Sequence, residues 1–148
     1  MQTHKAQLID AGELSQLFDL YRQFYRQPTN LADSERFVTE RLKNSDSIFF
    51  ITTTNTGEGM GFTQLYPSFS SVAMRRVWIL NDLYVHENYR QKGVATALIN
   101  SAKDYAVATN AFALKLATAK NNHQAKALYK KIGFKQITEF DYYTLVAR

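Results

Sequence analysis

The sequence predicts one α/β (α+β) domain of about seven strands and four helices, and three observations lead there. Compact apolar or β-branched runs, such as Ile48 to Thr53 and Phe112 to Ala117, read as strands. Four other stretches carry apolar residues at helical spacing, the mark of a helix with one face in a core. No linker, internal repeat or low-complexity tract divides the 148 residues, which can bury about two thirds of the unfolded surface around one core.

In chain order, Ala6 to Ile9 is expected as a short strand. Asp10 followed by Glu13 resembles a capping box, opening a helix whose stripe is Leu14, Leu17, Phe18, Tyr21 and Tyr25. Pro28 ends it, Thr29 to Asp33 turn, and a second helix runs from about Ser34 to Lys43. After the strand Ile48 to Thr53, the run Asn55-Thr56-Gly57-Glu58-Gly59 is hairpin turn chemistry. Met60 to Tyr66 alternates as a strand that stops at Pro67, Ser68 to Ala73 is a polar loop, and Met74 to Val85 is the long central strand. A helix starts at Val94 and lines up Val94, Ala97, Leu98, Ala102 and Tyr105. Beyond the strand Phe112 to Ala117, a last helix aligns Ala125, Leu128, Tyr129 and Ile132. Asn121 or Asn122 caps its start, Lys130 and Lys131 suit its negative end, and Gly133 stops it. Lys135 to Phe140 and Tyr142 to Val146 are expected to close the chain as an antiparallel pair.

The chemistry concentrates between the central strand and the helix at Val94, where Arg90-x-x-Gly93-x-Ala95 makes a short turn. Gly93 tolerates backbone angles that other residues avoid, and Ala95 permits close approach to the backbone. Amide N–H groups at the start of a helix, beside the positive end of its dipole and flanked by Arg90 and Lys92, form a ready anion site. The geometry suits a pyrophosphate. Downstream stands Asn122-x-x-Ala125-x-x-Leu128-Tyr129-x-Lys131-x-Gly133-Phe134. Both stretches, in this order and at this separation, resemble the GNAT superfamily of acyl-CoA-dependent N-acyltransferases, with a close match over about residues 77 to 134.

The resemblance implies a single N-acetyltransferase domain over residues 1–148, with a mixed, mostly antiparallel, twisted sheet of about six to seven strands flanked by about four helices. It also implies transfer of an acetyl group from acetyl-CoA to a primary amine by direct attack in a ternary complex. Under it, the amides of Gln91, Lys92, Gly93, Val94, Ala95 and Thr96 take the pyrophosphate, with Arg90 beside them. Leu83, Tyr84 and Val85 run along the pantetheine arm, the backbone of Leu83 and Val85 pairing with it where the central strand and the Phe112 to Ala117 strand splay apart. Asn122 and Lys131 lie near the far end of the cofactor. The first two helices and their loop cover the acceptor, bringing Tyr25, Arg26 and Gln27 within reach, although Tyr25 reads first as core. Tyr66, Phe69 and Trp78 are weaker candidates for the acceptor pocket, since Trp78 and Phe62 read first as core or interface.

Acetyl transfer to an amine also needs proton management. An alkylamine with a pKa near 10.4 is about 0.04% neutral at pH 7, so freeing the lone pair costs about 4.6 kcal/mol. Asp82, on the strand beside the expected thioester, is the first candidate base, and Glu87 a weaker one in a turn. Polyamine-type relatives carry an acid just before the equivalent of Asp82; here the residue is Asn81, which weakens the case for a polyamine and for a base at 81. A small amine, an aminoglycoside, a polyamine, or a lysine or N-terminus of a protein all stay open as acceptors. By the motif match, Tyr129 is the general acid for the leaving thiolate. A phenol pKa near 10 is close to that of an alkyl thiol, so this transfer is nearly balanced.

Composition narrows the classes. The absence of cysteine excludes disulfides, a thiol nucleophile and cysteine-zinc sites, and His4, His86 and His123 have no partners at metal spacing, so no metal is expected. No apolar run suggests export or a membrane span, so a cytoplasmic protein is expected. The net charge of +5 suits a solvated surface or attraction of a polyanion, either coenzyme A or nucleic acid. Two readings therefore stand beside the enzyme: a non-catalytic acyl-CoA-binding module and a basic nucleic-acid-binding domain. Phe140, Tyr142 and Tyr143 are candidates for a homodimer interface.

Overall fold

In the computed structural model, which describes residues 1–148, the chain runs β1 (Gln2–Lys5), α1 (Ala11–Phe24), α2 (Leu31–Asn44), β2 (Ile48–Thr53) and β3 (Gly59–Ser70). It continues through β4 (Arg75–Val85), α3 (Val94–Ala108), β5 (Ala113–Leu116) and α4 (His123–Ile132). Two units hold these elements, Met1–Ala117 and Thr118–Arg148.

The first unit is a five-stranded sheet in the order β1-β2-β3-β4-β5. The first four strands are antiparallel neighbours, and β5 joins β4 in parallel, with Val77 opposite Ala113 and Leu80 opposite Leu116. Side chains alternate across a strand, so successive residues report which helix covers which face. Phe62 is fully buried with Leu14 and Leu17 of α1 and Val38 of α2. Its neighbour Gly61 lies under α3: a Cβ there would stand 2.7 Å from the Tyr84 carbonyl oxygen and 3.0 Å from Val94. With helices on both faces, β2 and most of β3 are buried continuously, which is why β2 reads as an unbroken apolar run.

The structure moves several expected boundaries. Ala6 to Ile9 is not a strand: the polar Gln2–Lys5 pairs with β2 instead, and Leu8–Asp10 forms a 3-10 turn. Asp10 caps that turn, its carboxylate accepting from the Gln7 N–H at 2.8 Å, while Glu13 accepts from Gly59 N–H at 2.9 Å and so ties α1 to β3. No capping box opens α1. The second helix begins three residues earlier than expected because Asn30 caps it, accepting from Asp33 N–H at 3.1 Å. Strand β3 runs on through Pro67; past Leu65 it pairs with β4 alone, so the missing N–H of the proline falls on a free edge.

In the second unit, α4 carries the expected caps. Asn122 accepts from Ala125 N–H at 3.2 Å. Gly133 takes φ +119°, its N–H and that of Phe134 closing on the Tyr129 carbonyl at 3.1 and 2.9 Å in a Schellman arrangement. The expected antiparallel pair over Lys135 to Phe140 and Tyr142 to Val146 is absent, so the sheet has five strands rather than six or seven. Those residues alternate as strands do, but they form no ladder, and Tyr142, Tyr143 and Leu145 are almost fully exposed.

Candidate active site

Two features of the first unit open β4. Its parallel partner β5 ends early, pairing only from Val77 to Leu80. One residue later the register with β3 slips: Gln64 faces Asp82 and Leu65 faces Leu80, leaving Asn81 as a bulge. The His86 N–H donates to Met60 across β3 at 2.9 Å. Strand alternation then directs the backbone of Tyr84 and Asp82 toward β3 and that of Leu83 and Val85 toward the opposite edge, where no strand of the sheet lies. Of the three strand residues expected along the cofactor arm, Leu83 presents open backbone and Val85 only its N–H, because its carbonyl accepts from Arg90 Nε; Tyr84 presents none. Its ring instead packs into the core beneath α1.

Following β4, residues Glu87–Tyr89 make a 3-10 turn in which His86 accepts from Asn88 N–H at 3.1 Å. Glu87 lies exposed on it, as a solvated charge would. Gln91 and Gly93 both take left-handed angles, φ 61° and 82°, on either side of Lys92. Alternation of this kind turns successive N–H groups inward, into the concave arrangement that suits anions. None of the backbone N–H groups from Arg90 to Thr96 donates to a protein acceptor, whereas Tyr89 and Ala97 on either side do. Gly93 opens α3 without any side-chain cap, so the helix start keeps its donors and the positive end of its dipole. Arg90 is anchored there. Its Nε donates to the Val85 carbonyl at 3.1 Å, and its guanidinium stands 5.8 Å from the rings of both Phe24 and Tyr84.

Asp82 is the centre of the polar groups. It is 8% exposed, and three side chains meet it. Tyr21 donates from its hydroxyl to Oδ1 at 2.8 Å, Asn81 donates from Nδ2 to Oδ2 at 3.0 Å, and Thr63 donates to the Asp82 carbonyl at 2.8 Å. Burial raises the Asp82 pKa above the usual carboxylate range, and the hydrogen bonds from Asn81 and Tyr21 offset only part of that. A carboxyl poised in this way is a better proton acceptor near neutrality than an exposed one. Burial also raises the Tyr21 phenol, and the Asp82 charge adds to it, so Tyr21 remains a donor throughout the physiological range. Tyr66 is raised by burial and by the same carboxylate, which places its phenol within the field of Asp82.

Sequence reasoning finds Asp82 but misses Tyr21, which reads as one more core position on the α1 stripe. The signal was the break in alternation at Asn81-Asp82, two polar residues inside a strand, which marks a bulge and calls for a partner across the face. The other pocket candidates separate. Trp78 is 7% exposed, its Nε1 donating to Thr109 at 2.9 Å, and it packs on Tyr105 of α3, so it faces away from Asp82. Phe69 is exposed against Arg76. Tyr25, read first as core, is 60% exposed.

Asp19 holds the connection from α1 to α2. Its carboxylate accepts from Thr29 Oγ1 at 2.6 Å, Asn30 N–H at 2.7 Å and Gln23 at 3.0 Å. Burial alone would raise its pKa, but these donors and Ser34 together hold it below the usual value, so it stays charged and keeps the connection tied down.

In the second unit, Tyr129 is half-buried on α4 with its ring against Phe134 at 5.8 Å. Asn122 uses its side-chain oxygen as the helix cap, and Lys131 is exposed.

Comparison with known proteins gives a consistent result. The family model described as "Acetyltransferase (GNAT) family" matches residues 14–134. The uncharacterized N-acetyltransferase YhfO of Bacillus subtilis (strain 168) is 44% identical over 145 residues, 98% of this chain and 97% of that one. A probable acetyltransferase of Haemophilus influenzae (strain ATCC 51907 / DSM 11121 / KW20 / Rd) is 33% identical over 91% of this chain and 90% of its own. A crystal structure of a probable acetyltransferase superposes with a TM-score of 0.94 at 38% identity, covering 100% of this chain and 99% of that chain.

Proposed function

The chain belongs to the acetyltransferase (GNAT) family and is an acyltransferase of that type; from this premise we propose that it moves an acetyl group from acetyl-CoA to a primary amine by direct attack. The observation that carries the reading is the meeting, on β4, of a buried carboxylate with a raised pKa and an open backbone edge that leads to a row of unpartnered amides. The amides from Gln91 to Thr96 would hold the pyrophosphate, Arg90 and Lys92 would neutralise it, and Leu83 and Val85 would pair with the arm. The family match runs across both units, which supports residues 1–148 working as one acetyltransferase domain.

The chemistry balances with the residues in these roles. Asp82, directly or through one water, takes a proton from the ammonium. The freed lone pair attacks the thioester carbonyl, forming the C–N bond and a tetrahedral oxyanion. Collapse breaks the C–S bond, and the thiolate takes a proton from Tyr129, whose place in the Leu128-Tyr129-x-Lys131-x-Gly133-Phe134 motif supports that role. The second proton on the new C–N nitrogen passes to the resulting phenolate, directly or through water, which leaves a neutral amide and restores the phenol. Deprotonating the amine first meets the cost of about 4.6 kcal/mol that an alkylammonium imposes at pH 7.

Release of free thiol from acetyl-CoA, followed with a thiol reagent, tests the proposal. Thiol should appear only when protein and amine are both present, in step with acetylated amine. Binding of acetyl-CoA without thiol release under any amine would leave the non-catalytic module as the better reading.

A further inference from the structure

The ring system beside Asp82 has an unusual outer end. Tyr21 is hydrogen-bonded to the carboxylate, and Tyr25 meets it edge-on with centroids 5.1 Å apart. Phe24 continues the series, 5.4 Å from Tyr25 and 6.4 Å from Tyr84. Phe24 and Tyr25, at the last turn of α1, are 61% and 60% exposed, so a path of aromatic surface leads from the buried carboxylate to solvent. Large rings left in water at the end of such a path are surface that a ligand can cover.

Charge limits what that ligand can be. Of the α1 carboxylates, Asp19 is committed to Thr29, Asn30 and Gln23, and Glu13 to Gly59. The bulge beside Asp82 carries neutral Asn81. Glu87, whose charge reaches Tyr84, is exposed in the turn after β4. The Arg90 guanidinium over Phe24 and Tyr84 is the one that the pyrophosphate would neutralise, so it offers an acceptor no negative partner. One ammonium therefore finds a carboxylate and aromatic faces near Asp82, while a second positive charge farther along Tyr25 and Phe24 finds no α1 carboxylate free to pair with it.

Resting on the acetyltransferase reading above, we propose that the acceptor is a primary monoamine with an aromatic or apolar arm, its ammonium beside Asp82 and its arm along Tyr25 and Phe24. Attraction of a cation by an aromatic face and burial of the arm both favour such an amine. A polyamine gains the first contact and loses at the rim.

Thiol release from acetyl-CoA is measured with 2-phenylethylamine, hexylamine, spermidine and lysine as acceptors. The kcat/KM for 2-phenylethylamine should exceed that for spermidine and for lysine by about tenfold or more. Tyr25→Ala, at an exposed position that leaves the fold intact, should raise the KM for 2-phenylethylamine about three- to tenfold. The KM for methylamine, which has no arm, should rise less than that for 2-phenylethylamine, and acetyl-CoA affinity should hold. Equal or better turnover of spermidine or lysine would overturn the monoamine assignment and leave the acetyltransferase reading standing. Thiol release with none of the amines, despite acetyl-CoA binding, would overturn the transferase reading itself.

Discussion

Asp82→Asn is expected to lower kcat by about a hundredfold to ten-thousandfold, the range that a positioned general base contributes. The substitution keeps the shape of the side chain and an acceptor for the Tyr21 hydroxyl, so the bulge and its surroundings should survive. The pH profile separates loss of a base from distortion. In the wild type, kcat/KM should fall on the acid side as Asp82 takes up a proton, at a pH above the usual carboxylate range because burial raises its pKa. The variant should lack that limb. Tyr21→Phe removes one of the two hydrogen bonds that hold the Asp82 pKa down, so its limb should move to higher pH. An acid limb that survives Asp82→Asn at the same pH would assign the base to another group.

The same shift bears on stability. A carboxyl whose pKa is raised by folding favours the folded state when protonated, and that contribution is lost as pH rises through the folded value. At pH 8 ionised Asp82 is therefore a cost. The neutral amide should leave Tm at or above that of the wild type, so the drop in rate would not be unfolding.

Tyr129→Phe is expected to lower kcat about tenfold to a thousandfold at saturating substrates. The phenyl ring can keep the contact with Phe134, and the Schellman end of α4 uses the backbone of Tyr129, so the helix should be unaffected. KM for the amine should change little, because the lost interaction serves the departing thiolate. An unchanged kcat would remove Tyr129 from the role of acid.

Legibility in the sequence followed how locally each feature is determined. Strand β2 is legible with its observed bounds because it is covered on both faces and its run of apolar and β-branched residues has no gaps. The caps of α4 were legible because Asn122 and Gly133 act on groups within a turn of themselves. The loop from Arg90 to Thr96 was legible as a strand, a glycine turn and a helix start. Strand β1 is not legible at its place because Gln2–Lys5 is held by its ladder with Thr53 to Phe50, and its polar residues give no strand signal of their own. The last two expected strands failed for the converse reason, a strand-like alternation with no ladder to join. The environment of Asp82 is also non-local. Its partner Tyr21 lies 61 residues away in sequence, and periodicity on α1 cannot distinguish a ring in the core from one whose hydroxyl reaches a carboxylate.

Thermal unfolding with acetyl-CoA, beside coenzyme A and ATP, tests the central claim most directly, since every later step depends on the cofactor loop. At a hundred times Kd, a ligand adds about 2.7 kcal/mol, or roughly 5–10 °C for a domain of this size. The account predicts such a rise with acetyl-CoA and coenzyme A and little with ATP. No rise with either CoA species would mean that the amides from Gln91 to Thr96 do not hold a pyrophosphate, and would contradict the account.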